Sequence, residues 1–80
     1  MLTYTDPAKV TGARATDTPI YGRTASGYGR KIPTRYMLHY AGRWRRVYVM
    51  QYGNAGAAYV EMRGRVHHLD TDTEHALQLL

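Results

Sequence analysis

The second half of the chain alternates short segments of strand-forming residues with turn residues, and this alternation constrains the fold more than any other feature. Ala41-Gly42 and Arg63-Gly64 are typical of two-residue hairpin turns, and the segment 52–56, with Gly and Asn, favours a third connection. The intervening segments predict strands over residues 35–40, 44–51, 57–62 and 65–69. Because strands joined by tight turns pair antiparallel, we expect a small antiparallel β-meander of three to four strands.

A short helix is expected after the last strand. The segment Thr71-Asp72-Thr73-Glu74 has the pattern of a capping box, and residues 75–80 supply the leucines of an apolar stripe. The predicted fold class is therefore α+β, with the C-terminal helix covering one face of the meander.

Residues 1–34 have a different composition, rich in Gly, Thr, Ala and Pro and without a clear hydrophobic period. We expect a long irregular arm that packs on the domain formed by residues 35–80, the whole being a single domain. Asp6 and Pro7 favour one helical turn that Gly12 would end, and residues 24–31 are expected to form a loop.

The two-residue period of strands assigns the predicted side chains to two faces. The assignment depends on a pairing of Met50 with Tyr59 across the loop 52–56. One face is mostly aliphatic and is expected to form the core: Tyr36, Leu38, Val47, Val49, Val60, Met62, His67 and Leu69. The opposite face is aromatic and basic: Arg35, His39, Trp44, Arg46, Tyr48, Met50, Tyr59, Glu61 and His68.

The size and composition of the chain limit how this fold is stabilised and where it works. A chain of 80 residues buries a thin core, and without cysteine it has neither disulfides nor thiolate metal sites. Residues 1–6 lack the basic and apolar regions of a signal peptide, and no apolar stretch approaches the ~20 residues of a membrane span. We therefore expect a soluble protein in the cytoplasm, without membrane contact.

The charge is distributed unevenly along the chain. The net charge is +5, and no Asp or Glu occurs between Thr18 and Val60. That tract carries seven cationic residues: Arg23, Arg30, Lys31, Arg35, Arg43, Arg45 and Arg46. Such a tract favours a polyanion or an acidic protein surface as partner, although a basic surface that only aids solubility has the same composition.

The run Gly42-Arg43-Trp44-Arg45-Arg46-Val47-Tyr48 is the strongest local feature. Arginines reach phosphates and Trp and Tyr stack on bases, so the run is typical of a single-stranded nucleic-acid surface; the same residues make protein-interface hot spots. A third interpretation is local packing of an exposed ring beneath arginine stems. The predicted binding surface comprises Arg30, Lys31, Arg35, Arg43, Trp44, Arg45, Arg46, Tyr48 and Tyr59.

Catalytic and metal-binding functions have weaker support. His67 and His68 are adjacent and point to opposite faces of a strand, so they do not form a metal site together. We predict no metal, no cofactor and no catalytic residue. The alternative, a small metal-independent ribonuclease, would draw on residue types that share one predicted face: His39, Arg46, Tyr48, Glu61 and His68.

The segment Thr24–Tyr36, with the run 42–48 and the segment 52–56, resembles short uncharacterised proteins of bacteriophages and prophages. The resemblance implies a phage accessory protein, a class that includes anti-CRISPR proteins, which act by binding host machinery stoichiometrically. The leading hypothesis is therefore an inhibitor or modulator of a host nucleic-acid-handling complex. Direct DNA or RNA binding by the same surface is the alternative, and an uncovered sheet edge makes a homodimer a further expectation.

Overall fold

The protein folds as one antiparallel sheet followed by a short helix. The computed structural model describes residues 2–17, 30–52 and 55–80. The described elements are a 3₁₀ turn (Pro7–Lys9), the strands β1 (Val10–Ala15), β2 (Arg30–Tyr40), β3 (Arg43–Tyr52), β4 (Ala55–Met62) and β5 (Arg65–His68), and the helix α1 (Thr71–Gln78). The strands are neighbours in chain order, so the expected α+β meander is confirmed, but it has five strands instead of three to four. None of the described helices is long and apolar enough to cross a membrane.

The additional strand lies in the segment that was expected to be an irregular arm. Val10–Ala15 pairs with the second half of β2, and β2 itself begins at Arg30, inside the predicted loop 24–31. The prediction of an arm was therefore wrong for residues 10–15 and 30–34. The rest of that loop, residues 24–29, and Gly53 and Asn54 in the predicted segment 52–56 lie outside the described residues.

A bulge explains why the start of β2 was missed. The pairing of β2 with β3 is regular before Pro33 and after Met37 and shifts register between them. Pro33 has no amide hydrogen to donate to a ladder. The Thr34 hydroxyl donates to the carbonyl of Val47 at 2.7 Å and accepts from the amide of Tyr36 at 3.2 Å, so one side chain serves backbone groups that the ladder leaves unpaired.

Both predicted two-residue turns are present, and both have the same backbone geometry. The φ angles are 51° and 83° at Ala41 and Gly42, and 55° and 78° at Arg63 and Gly64. Two consecutive positive φ values match the right-handed twist of a hairpin, and glycine adopts them without steric cost. The X-Gly pairs therefore set the register of β2 with β3 and of β4 with β5.

The register between β3 and β4 differs from the expected one by two residues. Tyr59 pairs with Tyr48, and Met50 pairs with Ala57 instead of Tyr59. Because side chains alternate with a period of two, this shift leaves every predicted side chain on its predicted face. We call the two sides of the sheet the Leu38 face and the Trp44 face. Among the described side chains, the strand pairings place on the Trp44 face Gly12, Arg14, Pro33, Met37, His39, Trp44, Arg46, Tyr48, Met50, Ala57, Tyr59, Glu61, Val66 and His68.

The Leu38 face holds the core, as expected. The buried core cluster consists of Leu38, Tyr40, Val47, Val60, Leu69 and Leu77. Leu77 comes from α1, so the helix covers this face of the sheet. Burial of these side chains is the main favourable contribution to folding, since each removes apolar surface from water.

The sheet is curled, because a short N-terminal segment connects its two edge strands. Thr3 and Thr5 exchange backbone hydrogen bonds with His68 on β5, whereas Val10 begins β1 at the other edge. In a flat sheet four interstrand spacings would separate β1 from β5 by about 19 Å. The chain from Thr5 to Val10 spans at most about 17 Å fully extended, and three of its residues form the 3₁₀ turn. The two edges must therefore approach each other at one corner.

The helix begins one residue earlier than the capping box predicted. Asp70, not Thr71, is the N-cap, and its carboxylate accepts from the amide of Thr73 at 3.1 Å. The same carboxylate accepts from the hydroxyls of Thr73 and of the buried Thr5. Asp70 therefore connects the start of α1 to the N-terminal segment.

Candidate binding surface

Trp44 is the most prominent side chain of the Trp44 face. It is 40 % exposed although it lies on the central strand β3. The imidazole of His39, its partner on β2, meets the indole edge-on with a centroid distance of 5.2 Å. The guanidinium carbon of Arg14, from β1, lies 4.3 Å from the centroid of the indole. Three strands thus contribute to one cluster.

Gly12 allows the indole to reach across β2 to β1. A Cβ atom at position 12 would lie 3.2 Å from Cη2 of Trp44, closer than most carbon atoms approach each other without adjustment. Thr11 Oγ1 is hydrogen-bonded to Nδ1 of His39 at 2.6 Å, which holds the imidazole beside the indole. We call Thr11, Gly12, Arg14, His39 and Trp44 the Trp44 cluster.

The arginines that follow Trp44 bind backbone carbonyl groups of the sheet. Arg45 points to the Leu38 side, where its Nε donates to the carbonyl of Tyr40 at 2.8 Å and its Nη1 to the carbonyl of Glu61 at 3.4 Å. Arg46 lies on the Trp44 face, and its Nη1 donates to Thr16 Oγ1 at 3.0 Å and to the carbonyl of Thr34 at 3.2 Å. Both side chains are half-buried and tie neighbouring strands together.

The remaining cations of the predicted binding surface lie away from the Trp44 cluster. Arg43, beside the turn at Ala41, is exposed, but it pairs with Tyr40 and so lies on the Leu38 side, away from Trp44. Arg35 is exposed too, with its guanidinium carbon 5.4 Å from the centroid of the Tyr36 ring. Arg30 and Lys31 pair with Gln51 and Met50 at the opposite end of β2 from Trp44; their side chains lie outside the described part.

An aromatic row crosses the rest of the Trp44 face. Tyr48 stacks on Tyr59 at 5.9 Å, Tyr59 meets His68 at 6.3 Å, and His68 meets Tyr4 at 6.0 Å between ring centroids. Tyr59 was predicted to belong to the binding surface, but it is only 1 % exposed. It is buried inside this row of rings and does not contact a partner directly. Tyr48 is half-buried, and Tyr4, at the end of the row, is 55 % exposed.

Sequence reasoning missed the contributions of the N-terminal segment. Thr11, Gly12, Arg14 and Tyr4 belong to the Trp44 face or its edge but fall in the segment that was expected to be irregular. The β-branched pair Val10-Thr11 favours a strand and could have indicated β1. Gly12, which follows this pair, disfavours a strand interior and led to the prediction of an irregular segment.

The histidines do not converge on one site. His39 packs against Trp44, His68 packs between Tyr59 and Tyr4, and His67 is buried on the Leu38 face beside Tyr40. Across residues 2–17, 30–52 and 55–80, no three His, Asp or Glu side chains are grouped closely enough to hold a metal ion.

No protein-family model, curated protein or solved structure matches this chain. The chemistry of the Trp44 face is therefore the basis for assigning a function.

Proposed function

We propose that this protein is a small accessory protein of the phage type that inhibits or modulates a host nucleic-acid-handling complex, such as a CRISPR effector, by binding it through the Trp44 face. The observation that carries the proposal is the half-exposed Trp44, positioned by Gly12 and His39 and covered by the guanidinium of Arg14. Tryptophan and arginine are the residues most enriched among those that dominate binding energy at interfaces.

The charge of the exposed side chains supports a negatively charged partner. Arg14 is exposed on the Trp44 face, Arg35 is exposed on β2, and Arg43 is exposed beside the turn on the Leu38 side; the chain has no acidic residue between Thr18 and Val60. A surface of one sign attracts an oppositely charged partner over several ångströms and raises the rate of encounter. The complexes that handle DNA or RNA carry such charge on their nucleic acid, and they act in the cytoplasm of a bacterial host, where we place the protein.

A binding role accounts for the arrangement of this face better than a catalytic one. General acid–base catalysis needs two titratable groups that converge on a reacting bond. His39 and His68 share the face, but β3 and β4 lie between their strands and each imidazole packs against a different ring. We therefore propose a binding role and not the ribonuclease alternative.

Direct binding of free DNA or RNA remains the second candidate, because an exposed indole beside arginines is also what a nucleic-acid-binding sheet offers. The two candidates differ in what the protein retains. Binding to free nucleic acid predicts that nucleic acid alone is retained, with an affinity that falls steeply with salt, whereas binding to a complex predicts stoichiometric co-purification of its protein subunits.

The test is capture from a bacterial host lysate by immobilised protein, compared with two variants. We expect the wild-type protein to retain a nucleic-acid-handling complex in stoichiometric amount, and the variant Arg14→Glu to lose at least about tenfold of it, because an exposed cation of the Trp44 face becomes repulsive. Arg65→Glu is the matched control, since Arg65 is exposed on β5 and belongs to the Leu38 side. Equal capture by all three proteins, or no captured complex, would contradict the proposal.

A further inference from the structure

We infer that the Trp44 cluster binds single-stranded nucleic acid, with an unpaired base stacked on the indole of Trp44 and Arg14 moved from the ring to a neighbouring phosphate. The inference rests on the proposed function, because it names the component of the complex that the Trp44 face contacts.

The position of Arg14 shows that a planar group fits over the indole. Its guanidinium carbon lies 4.3 Å from the ring centroid, within the range of a cation–π contact. The guanidinium group is flat and delocalised like a base, so a base can occupy the same space above the ring. Arg14 itself is exposed, which leaves its side chain free to turn toward solvent without losing buried packing.

When a base replaces the guanidinium of Arg14 over the indole, the displaced guanidinium can pair with a phosphate of the same nucleic-acid strand. The indole lies against β1, from which Arg14 also extends, so the phosphate of a nucleotide stacked on Trp44 comes within reach of the displaced guanidinium. Aromatic stacking generally contributes more than an exposed cation–π contact, so the exchange is favourable as long as the guanidinium finds a phosphate.

The geometry of the sheet favours an unpaired strand over a duplex. Trp44 belongs to the central strand, and its indole contacts Gly12 on β1 and the imidazole of His39 on β2. A ring held against the sheet surface does not project into a groove, and the bases of a duplex are already stacked on each other. Only an unpaired base presents a free face to such a ring.

An acidic protein surface would use the same arginines in a different way. Carboxylates pair with guanidinium groups but offer no planar surface for the indole, so Arg14 would remain over Trp44 in that complex. The two partners therefore differ in what happens at the ring, and the experiment reads the ring directly.

Trp44 is the sole tryptophan of the chain, so emission excited beyond the absorption band of the eight tyrosines reports on this residue. Purified protein is titrated at low salt with a labelled single strand of about ten nucleotides, an abasic strand of equal length and a duplex. We expect the single strand to quench Trp44 emission, and the abasic strand to bind about tenfold more weakly without comparable quenching, since it carries phosphates but no bases. Equal affinity of the two strands without quenching, or no binding of the single strand, would overturn the inference.

Four variants separate stacking from charge, with anisotropy of the labelled strand as the readout. Trp44→Leu should lose the preference for the strand with bases over the abasic strand, and Trp44→Phe should keep part of it. Arg14→Gln should lower the slope of log affinity against log salt by about one contact, whereas Arg65→Gln, on the Leu38 side, should leave the slope unchanged. A preference unchanged in Trp44→Leu would contradict stacking at this ring.

The lysate experiment distinguishes failure of this inference from failure of the proposed function. If nuclease treatment of the lysate leaves the complex bound and no oligonucleotide binds, the protein acts on a protein subunit and only the inference fails. If nuclease treatment releases the captured complex, the nucleic acid is the contact that the inference requires.

Discussion

At the scale of single residues, the Trp44 cluster depends on an absent side chain. Trp44 reaches over β1 because Gly12 has no Cβ atom, and the space above the glycine is filled by the rim of the indole. His39 and Arg14 then fix the indole from the side and from above. The half-exposed state of Trp44 is therefore a property of its neighbours, not only of its position on a strand.

Gly12→Val should displace the indole. A branched side chain at position 12 would overlap Cη2 of Trp44, so the ring must move away from β1 and become more exposed. We expect a red-shifted emission and increased quenching by acrylamide, together with weaker binding of whatever partner the cluster contacts. Ala15→Val adds a branched side chain to the same strand on the other face and should leave the emission unchanged. An unchanged emission in Gly12→Val would show that the indole does not depend on the glycine.

The two arginines after Trp44 show why a run of cations is a poor guide to a binding surface. In the sequence Arg45 and Arg46 are equivalent, yet they point to opposite faces and both donate to backbone carbonyls. Removing either side chain deletes hydrogen bonds to partly buried carbonyl groups, which destabilises the fold. A charge-reversal test of the Trp44 face therefore belongs at Arg14, which is exposed on that face.

At the scale of the element, Asp70 organises the start of α1. Partial burial of its carboxyl group would raise the pKa, but the hydrogen bonds from Thr5 and Thr73 and from the backbone amides outweigh this effect and lower the pKa below the ordinary value of 3.8. A carboxyl group whose pKa is lower in the folded state stabilises the fold when it is ionised. Asp70 therefore contributes stability at neutral pH.

Asp70→Ala should lower the free energy of unfolding by about 1–2 kcal/mol at neutral pH, because the helix loses its N-cap and the buried hydroxyls of Thr5 and Thr73 lose their acceptor. The contribution is complete above the unfolded-state pKa and is lost as the pH falls through the lower folded-state pKa. Urea unfolding followed by circular dichroism should thus show the two proteins converging below about pH 4. Asp72→Ala, in the exposed first turn, should cost less, and a gap that stays constant down to low pH would contradict this role of Asp70.

The elements that the sequence predicted are those set by local chemistry. The two X-Gly turns, the alternating strands between them and the helix after Asp70 depend on residues close together in the chain. The elements that were missed depend on distant partners. β1 forms although it contains Gly12, because it completes the edge of β2, and the start of β2 needs the Thr34 hydroxyl to serve the carbonyl of Val47.

The candidate site was also predictable only where it depends on local sequence. The period of β3 correctly placed Trp44, Arg46 and Tyr48 on one face. The role of Arg14 was not predictable, since the contact with Trp44 requires a strand that local propensity does not indicate. The burial of Tyr59 was not predictable either, because it results from packing of neighbouring rings on both sides.

At the scale of the whole molecule, the curled sheet separates stability from binding. The Leu38 face and α1 supply the buried core, and the N-terminal segment joins the two edges of the sheet at one corner through Thr5 and Val10. The Trp44 face can then carry a half-exposed ring and exposed arginines without contributing the main core. This division is what allows a domain of 80 residues to present a large aromatic side chain to a partner.

The most direct test of this account follows Trp44 in the assembled complex. Protein labelled with 5-fluorotryptophan has a single ¹⁹F resonance, because the chain contains one tryptophan. When the captured host complex is added to saturation, with binding verified by co-elution, the account predicts that this resonance shifts and broadens. A resonance that keeps its position and width in the co-eluting complex would place the interface elsewhere and contradict the central claim.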